Sequence, residues 1–201
     1  MPFRLLRGDE ELETFCDNTE QYIAVRFPLD YLRNGKVVAY YSKDGRMLGG
    51  YALISKPPFR VIESLPEEVR SRHPALQRLA KTSLFEITGL WLAPELQLKR
   101  ASFVLWLRLY RDAIALGKSH FVYAYSLTKP SLGRLYRVCH PEVVFRGRTR
   151  QLPGMLRAEE ESVELSTVAR AMLFTLLQPR FFLGRLFRGG RHACKAGHDR
   201  V

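Results

Sequence analysis

The chain has 201 residues, enough for one well-buried core plus an extension, with 46% hydrophobic and 26% charged residues. It contains no run of eighteen apolar residues, which excludes an ordinary spanning helix, and its start (MPFRLLRGDE) turns acidic too early for a signal peptide. The net charge of +12 is uneven: residues 1–100 carry 15 Lys/Arg against 13 Asp/Glu, and residues 101–201 carry 17 against 7.

A basic second half implies an anionic partner: nucleic acid, membrane surface, a phosphate-bearing cofactor or an acidic carrier protein. Cys16, Cys139 and Cys194 have neither metal-ligand spacing nor a disulfide framework. The expectation is a reduced, cytoplasmic protein without a metal.

In chain order, residues 9–33 read as helical, interrupted by Pro28. Val37 to Ser42 and Met47 to Ser55 read as a hairpin around the Asp44-Gly45 turn signal, stopped by Pro57-Pro58. Gly49 and Gly50 inside the second strand mark a bulge or a close substrate approach. A short helix is expected from Glu67 to Leu79. Ser83 to Leu92 (SLFEITGLWL) reads as a central strand ended by Pro94.

Residues 97–116 are a strong helix candidate, with Phe103, Val104, Leu107, Tyr110 and Ile114 at helical spacing and Gly117 as its cap. Ser119 to Ser126 is a strand, Pro130 to Val138 a short helix and Glu142 to Arg150 a last strand. This divides the chain into a domain over 1–150 and a basic helical extension over 151–201, with a helix near Ser162–Leu177 and a frayed end. The pattern is α/β but opens on a hairpin, which argues against a doubly wound nucleotide fold.

Chemistry concentrates between Leu84 and Tyr136. A strand–loop–helix joint can receive phosphate oxygens at the helix N-terminus, and Lys99 and Arg100 add charge there. In context the sequence resembles the GCN5-related N-acetyltransferase (GNAT) superfamily. VVAYYSKDGRMLGGYALIS is similar to its second and third strands, FEITGLWLAPELQLKRAS to its fourth strand and pyrophosphate loop, HFVYAYS to its fifth strand and KPSLGRLYR to the following helix. The resemblance covers roughly residues 35–150. It implies a mixed, mostly antiparallel sheet flanked by helices.

It also implies acyl transfer from a thioester to an amine. Glu86 is the candidate general base, with a structural carboxylate as the alternative; Tyr136 is the candidate acid for the departing thiolate, or else a packed helix tyrosine. Backbone groups near Leu90, Trp91 and Leu92 would polarise the carbonyl. Gln97, Lys99, Arg100, Ala101 and Ser102 would hold the donor's phosphate, and Ser131 its pantetheine arm unless it only caps the helix.

The family loop Gln/Arg-x-x-Gly-x-Gly/Ala reads QLKRAS here, with both glycines replaced. A donor with a single phosphate, the phosphopantetheine of an acidic acyl carrier protein, suits that loop and the basic face, with acyl-CoA as the other donor. The resemblance is accordingly to the branch of acyl-homoserine-lactone synthases, long-chain N-acyl amino acid synthases and peptide-lipidating fatty acyltransferases.

Trp91, Trp106, Tyr123 and Tyr125 either line an acyl pocket or form plain core. His120 is a secondary candidate for deprotonation. Cys139-His140 are sequence neighbours whose side chains diverge, which argues against a nucleophile pair. The apolar and arginine-rich stretch 173–191 either touches a membrane surface or packs on the domain. Two other functions compete: a conventional acetyl-CoA enzyme, and a non-catalytic basic module. Nucleic acid is not the expected partner, because the aromatics lie in apolar patterns instead of alternating with the basic residues.

Overall fold

Among the described residues seven strands form one sheet; numbered along the chain they lie in the order 1-2-3-4-5-7-6, and neighbours are antiparallel except for the parallel fourth and fifth. The computed structural model describes residues 2–79, 83–96, 100–129, 133 and 136–177.

The chain opens with β1 (Phe3–Leu6), an edge strand that the sequence reading missed. Helix α1 (Asp9–Ile23) follows, with three carboxylates in its first turn where the helix dipole favours them. It buries Leu12, Phe15, Cys16 and Thr19 on one face. Pro28 starts the short α2 (Leu29–Arg33). The expected hairpin is β2 (Gly35–Tyr41) and β3 (Met47–Ile54).

The single helix expected over 67–79 is broken. Helices α4 (Glu67–Arg72) and α5 (Pro74–Arg78) meet at His73, whose extended backbone (ψ 120°) is what a residue before proline adopts. The four-residue α3 (Arg60–Glu63) precedes them. β4 (Leu84–Leu92), α6 (Arg100–Ala115), β5 (His120–Ser126) and β6 (Glu142–Arg148) match their expected bounds within two or three residues, while the helix expected from Pro130 to Val138 falls largely outside the described residues, with a 3-10 turn at Arg137–Cys139.

Two readings need correction. Glu160–Thr167, expected as helix from residue 162, is strand β7, inserted between β5 and β6; only Val168–Leu177 is helical, as α7. Thus the sheet takes a strand from beyond residue 150. In α6, the expected core stripe is wrong: Val104, Leu107 and Ile114 are exposed, while Leu105, Leu109 and Ala113 are buried. The true face includes Asp112, which looks polar in the sequence. Its carboxylate accepts hydrogen bonds from Tyr51 Oη at 2.8 Å and Arg108 Nε at 2.9 Å, and Lys36 Nζ lies at 3.0 Å. Burial opposes its ionisation, but these partners hold it below the usual carboxylate range.

The sheet separates two cores. On one side, α1, α2 and the 59–75 segment cover Val37, Ala39, Ala52, Ile54, Leu84, Val122 and Val163. On the other, α6 and α7 cover Val38, Tyr51, Leu53, Phe85, Phe121, Tyr123 and Tyr125. The alternation along β2 to β5 is the period-two signature of a sheet buried on both faces. No helix among the described residues is long and apolar enough to cross a membrane.

Candidate active site

β4 and β5 are paired at only three positions: Leu84 with His120, Phe85 with Phe121, and Glu86 with Val122. Beyond Glu86 they part. β5 continues along β7 through Ser126, and β4 continues along β3, so Ile87 to Trp91 have no ladder partner on the β5 side. The departure coincides with a bulge, where Tyr51 of β3 faces both Gly89 and Leu90. Gly89 has φ +57°, a conformation costly for residues with a Cβ, and a Cβ there would lie 3.1 Å from Phe15 and 3.2 Å from Phe27.

A cavity of about 210 Å³ occupies the parting. Residues of both cores line it: Val25, Phe27 and Val61 on the α1 side, and Trp106, Leu109, Tyr123 and Tyr136 on the α6 side. It therefore gives access to β4 from both faces of the sheet, an arrangement in which two reactants can meet edge-on between strands.

Glu86 sits where the strands begin to part and is fully buried. Its carboxylate accepts a hydrogen bond from Tyr31 Oη at 2.5 Å and from the Val61 backbone N–H at 3.1 Å. Burial pushes its pKa up to about 7, and the two hydrogen bonds and nearby Arg60 restrain the rise. A carboxylate titrating near neutrality can both take and hold a proton at physiological pH. Tyr31 keeps its proton, because burial and the neighbouring Glu86 raise its pKa far above the usual value.

On the α6 side, Tyr136 packs among Tyr123, Tyr125 and Trp106, with ring centroids 4.8, 5.3 and 6.1 Å away. Burial raises its pKa, and the negative charge of Glu164 adds to the effect. Its hydroxyl has no hydrogen-bond partner among the described residues. Glu164 of β7, hidden from the sequence reading by the helix expectation, is fully buried. It accepts hydrogen bonds from Tyr123 Oη at 2.7 Å, Tyr125 Oη at 2.9 Å and Ser162 Oγ at 2.9 Å. It thereby fixes two of the rings that line the cavity.

The structure brings Glu86, Leu90, Tyr123, Tyr125, Trp106 and Tyr136 to one cavity. Trp91 does not belong there: it stacks on Tyr22 at 4.7 Å in the α1-side core, because the bulge turns its side chain to that face. Leu92 packs against the α6-side core. Arg100, Ala101 and Ser102 form the first turn of α6; Gln97, Lys99 and Ser131 lie outside the described residues.

Gly50 admits no side chain because Phe15 and the Val38 carbonyl would each lie 2.8 Å from its Cβ, so its role is packing at the bulge. His120 bonds Ser119 at 2.8 Å and lines a separate pocket, not this cavity. Cys139 lines the cavity with its thiol pKa raised by burial, whereas the His140 ring packs 4.5 Å from Phe174. Of the 173–191 stretch, Leu173, Leu176 and Leu177 are exposed, and residues 178–191 lie outside the described ones. Among the described residues no cluster of His, Cys, Asp and Glu is suited to a metal.

No family model and no curated protein matches the sequence. Solved structures do. FeeM, an N-acyl amino acid synthase from uncultured soil microbes, superposes with a TM-score of 0.58 at 11% identity, over 89% of this chain and 98% of its own. A spermidine N-acetyltransferase SpeG chimera from Vibrio cholerae and hSSAT gives 0.55 at 12%, over 86% and 99%. The putative acetyltransferase yncA of Salmonella typhimurium, solved with acetyl-CoA, gives 0.51 at 13%, over 83% and 92%. The parted β4–β5 pair, the seven-stranded sheet and these superpositions agree, and the chain has the GNAT fold.

Proposed function

We propose that this protein is an N-acyltransferase that moves a medium or long fatty acyl group from a CoA or acyl-carrier-protein thioester to an amine. The observation that carries this reading is the parting of β4 from β5 beyond Glu86, with a cavity reached from both faces of the sheet. The pantetheine arm lies along the free edge of Ile87 to Leu92, whose backbone N–H groups polarise the thioester carbonyl. The first turn of α6, with Gln97, Lys99, Arg100, Ala101 and Ser102, receives the phosphate, and Ser131 contacts the arm.

The amine enters from the α1 side. The neutral nitrogen attacks the carbonyl carbon, and Glu86, directly or through a water, takes the proton that the nitrogen must lose as the C–N bond forms. The tetrahedral oxyanion collapses, the C–S bond breaks, and Tyr136 protonates the departing thiolate. Amide and free thiol are the products, and solvent carries the proton from Glu86 back to Tyr136.

The α6 side of the cavity sets the acyl length. Trp106, Leu109, Tyr110 and Ala113 line the cavity along one helical face, a span of roughly 10 Å at 1.5 Å per residue. Phe121, Val168 and Ala171 line it as well. An apolar chamber of this length suits a chain longer than acetyl, and the +12 net charge suits an acidic carrier.

The test is a donor series of acetyl, octanoyl and palmitoyl thioesters on CoA and on carrier protein, with amide products read by mass spectrometry. Octanoyl or palmitoyl transfer is expected to exceed acetyl transfer. Acetyl transfer alone would return the chain to conventional acetyl-CoA chemistry, and no amide from any donor would remove the enzymatic reading.

A further inference from the structure

From the residues around Glu86 we infer that the acceptor is an α-amino acid, held by its carboxylate on Arg60. The inference rests on the N-acyltransferase reading and narrows its acceptor to one class.

Arg60 is the first residue of α3 and lines the cavity on the α1 side, together with Glu86. Its position is fixed. Nη2 donates to the Pro153 carbonyl at 2.7 Å, and the guanidinium carbon lies 5.6 Å from the Tyr31 ring centroid and 5.8 Å from that of Phe27. Its remaining N–H groups have no partner among the described residues. Its charge is felt at Glu86 and Tyr31 without a direct ion pair. The site thus offers a base and a neighbouring planar cation, each with capacity to spare. An α-amino acid presents the complementary pair, an amine and a carboxylate on one carbon, and a guanidinium fork matches a carboxylate in two parallel hydrogen bonds.

Ile23, Val25, Phe27, Leu152 and Met155 give this half of the cavity an apolar wall beside Ser64. Its wall is stitched together where Val25 bridges Met155 and the Arg26 N–H bonds the Gly154 carbonyl at 2.7 Å. That lining suits an aliphatic or aromatic side chain.

Two carboxylates also line the cavity, and both are engaged. Glu159 is paired with Arg157 at 3.1 Å. Glu161 accepts from Thr149 at 2.7 Å, and burial raises its pKa. A polyamine would bring a second positive charge toward Arg60, so spermidine is expected to be a poor acceptor.

The experiment compares kcat/KM for leucine with leucinamide, and for phenylalanine with its amide, using one thioester donor. The amides have the less basic amine, so a preference for the acid cannot come from greater availability of the free amine. Wild-type protein is expected to favour the acids by about 10- to 100-fold, the range of a charge-assisted contact. In Arg60→Gln the ratio falls toward one, and Arg60→Lys retains part of it. Each ratio is taken within one variant, so partial unfolding cancels. Equal use of acid and amide by the wild type, a ratio unchanged in Arg60→Gln, or acylation confined to polyamines would overturn the inference while leaving acyl transfer standing. Failure to acylate any amine would remove both.

Discussion

Glu86→Gln separates the base's role from its cost to the fold. Glu86 titrates at about 7 in the folded protein against an ordinary 4.5. Because its folded pKa is raised, its contribution to stability is fully present below 4.5 and is lost as pH rises through 7. At 1.36 kcal/mol per pH unit, the loss by pH 8.5 is roughly 3 kcal/mol. Glutamine cannot ionise and keeps an acceptor for Tyr31, but it sets its NH2 against the Val61 N–H and loses that hydrogen bond. The variant should start below wild type near pH 4.5 and gain roughly 3 kcal/mol on it between pH 4.5 and 8.5. For a chain of this size that relative gain is about 6–12 °C in Tm.

The same variant should lose about 10²–10⁴-fold in kcat/KM, the usual contribution of general base catalysis. Wild-type kcat/KM should fall about tenfold per pH unit below 7 as the carboxylate is protonated. Urea melts at several pH values and a pH–rate profile measure both. A stability difference that does not change between pH 4.5 and 8.5 would show that Glu86 is not a buried, raised carboxylate, and the argument for it as base would fail.

Gly89→Ala places a Cβ at φ +57° and 3.1–3.2 Å from two rings, so urea denaturation should show a loss of roughly 1–3 kcal/mol, with weaker thioester binding by calorimetry. Tyr136→Phe removes a hydroxyl without a described partner and should leave Tm nearly unchanged. It should lower kcat by about 10²-fold with alkyl thioesters, and by less with aryl thioesters, whose thiolates leave without a proton. Ala113→Phe fills the chamber on the α6 side; the donor series should shift to shorter chains, at a packing cost of roughly 1–3 kcal/mol by thermal melt.

Much of the framework was legible because it obeys simple periodicities. The Asp44-Gly45 hairpin, the apolar run of β4 and the length of α6 all follow from local chemistry. Glu86 was named through the resemblance of its strand to the family's fourth strand, and its burial inside an otherwise apolar strand, with Tyr31 and the Val61 N–H as compensation, became visible only in the structure. What escaped were features set by distant partners. β7 begins EES and carries Glu164 on a buried face, so its alternation is masked by charges satisfied across the sheet by Tyr123 and Tyr125. The buried face of α6 was misjudged because Asp112 is paired with Lys36 of β2 and Arg108 and accepts a hydrogen bond from Tyr51 of β3. Nothing near Arg60 or Tyr31 in the sequence links them to Glu86, which lies 26 and 55 residues further along the chain.

The most direct test is a crystal structure with a non-hydrolysable fatty acyl-CoA thioether. The expected density places the pantetheine arm between Ile87–Leu92 and Tyr123–Ser126, the reacting carbon facing Glu86 and the acyl chain running along α6 toward Ala113. An arm bound elsewhere, or β4 and β5 hydrogen-bonded through to Ser126 with the arm excluded, would contradict acyl transfer at this site.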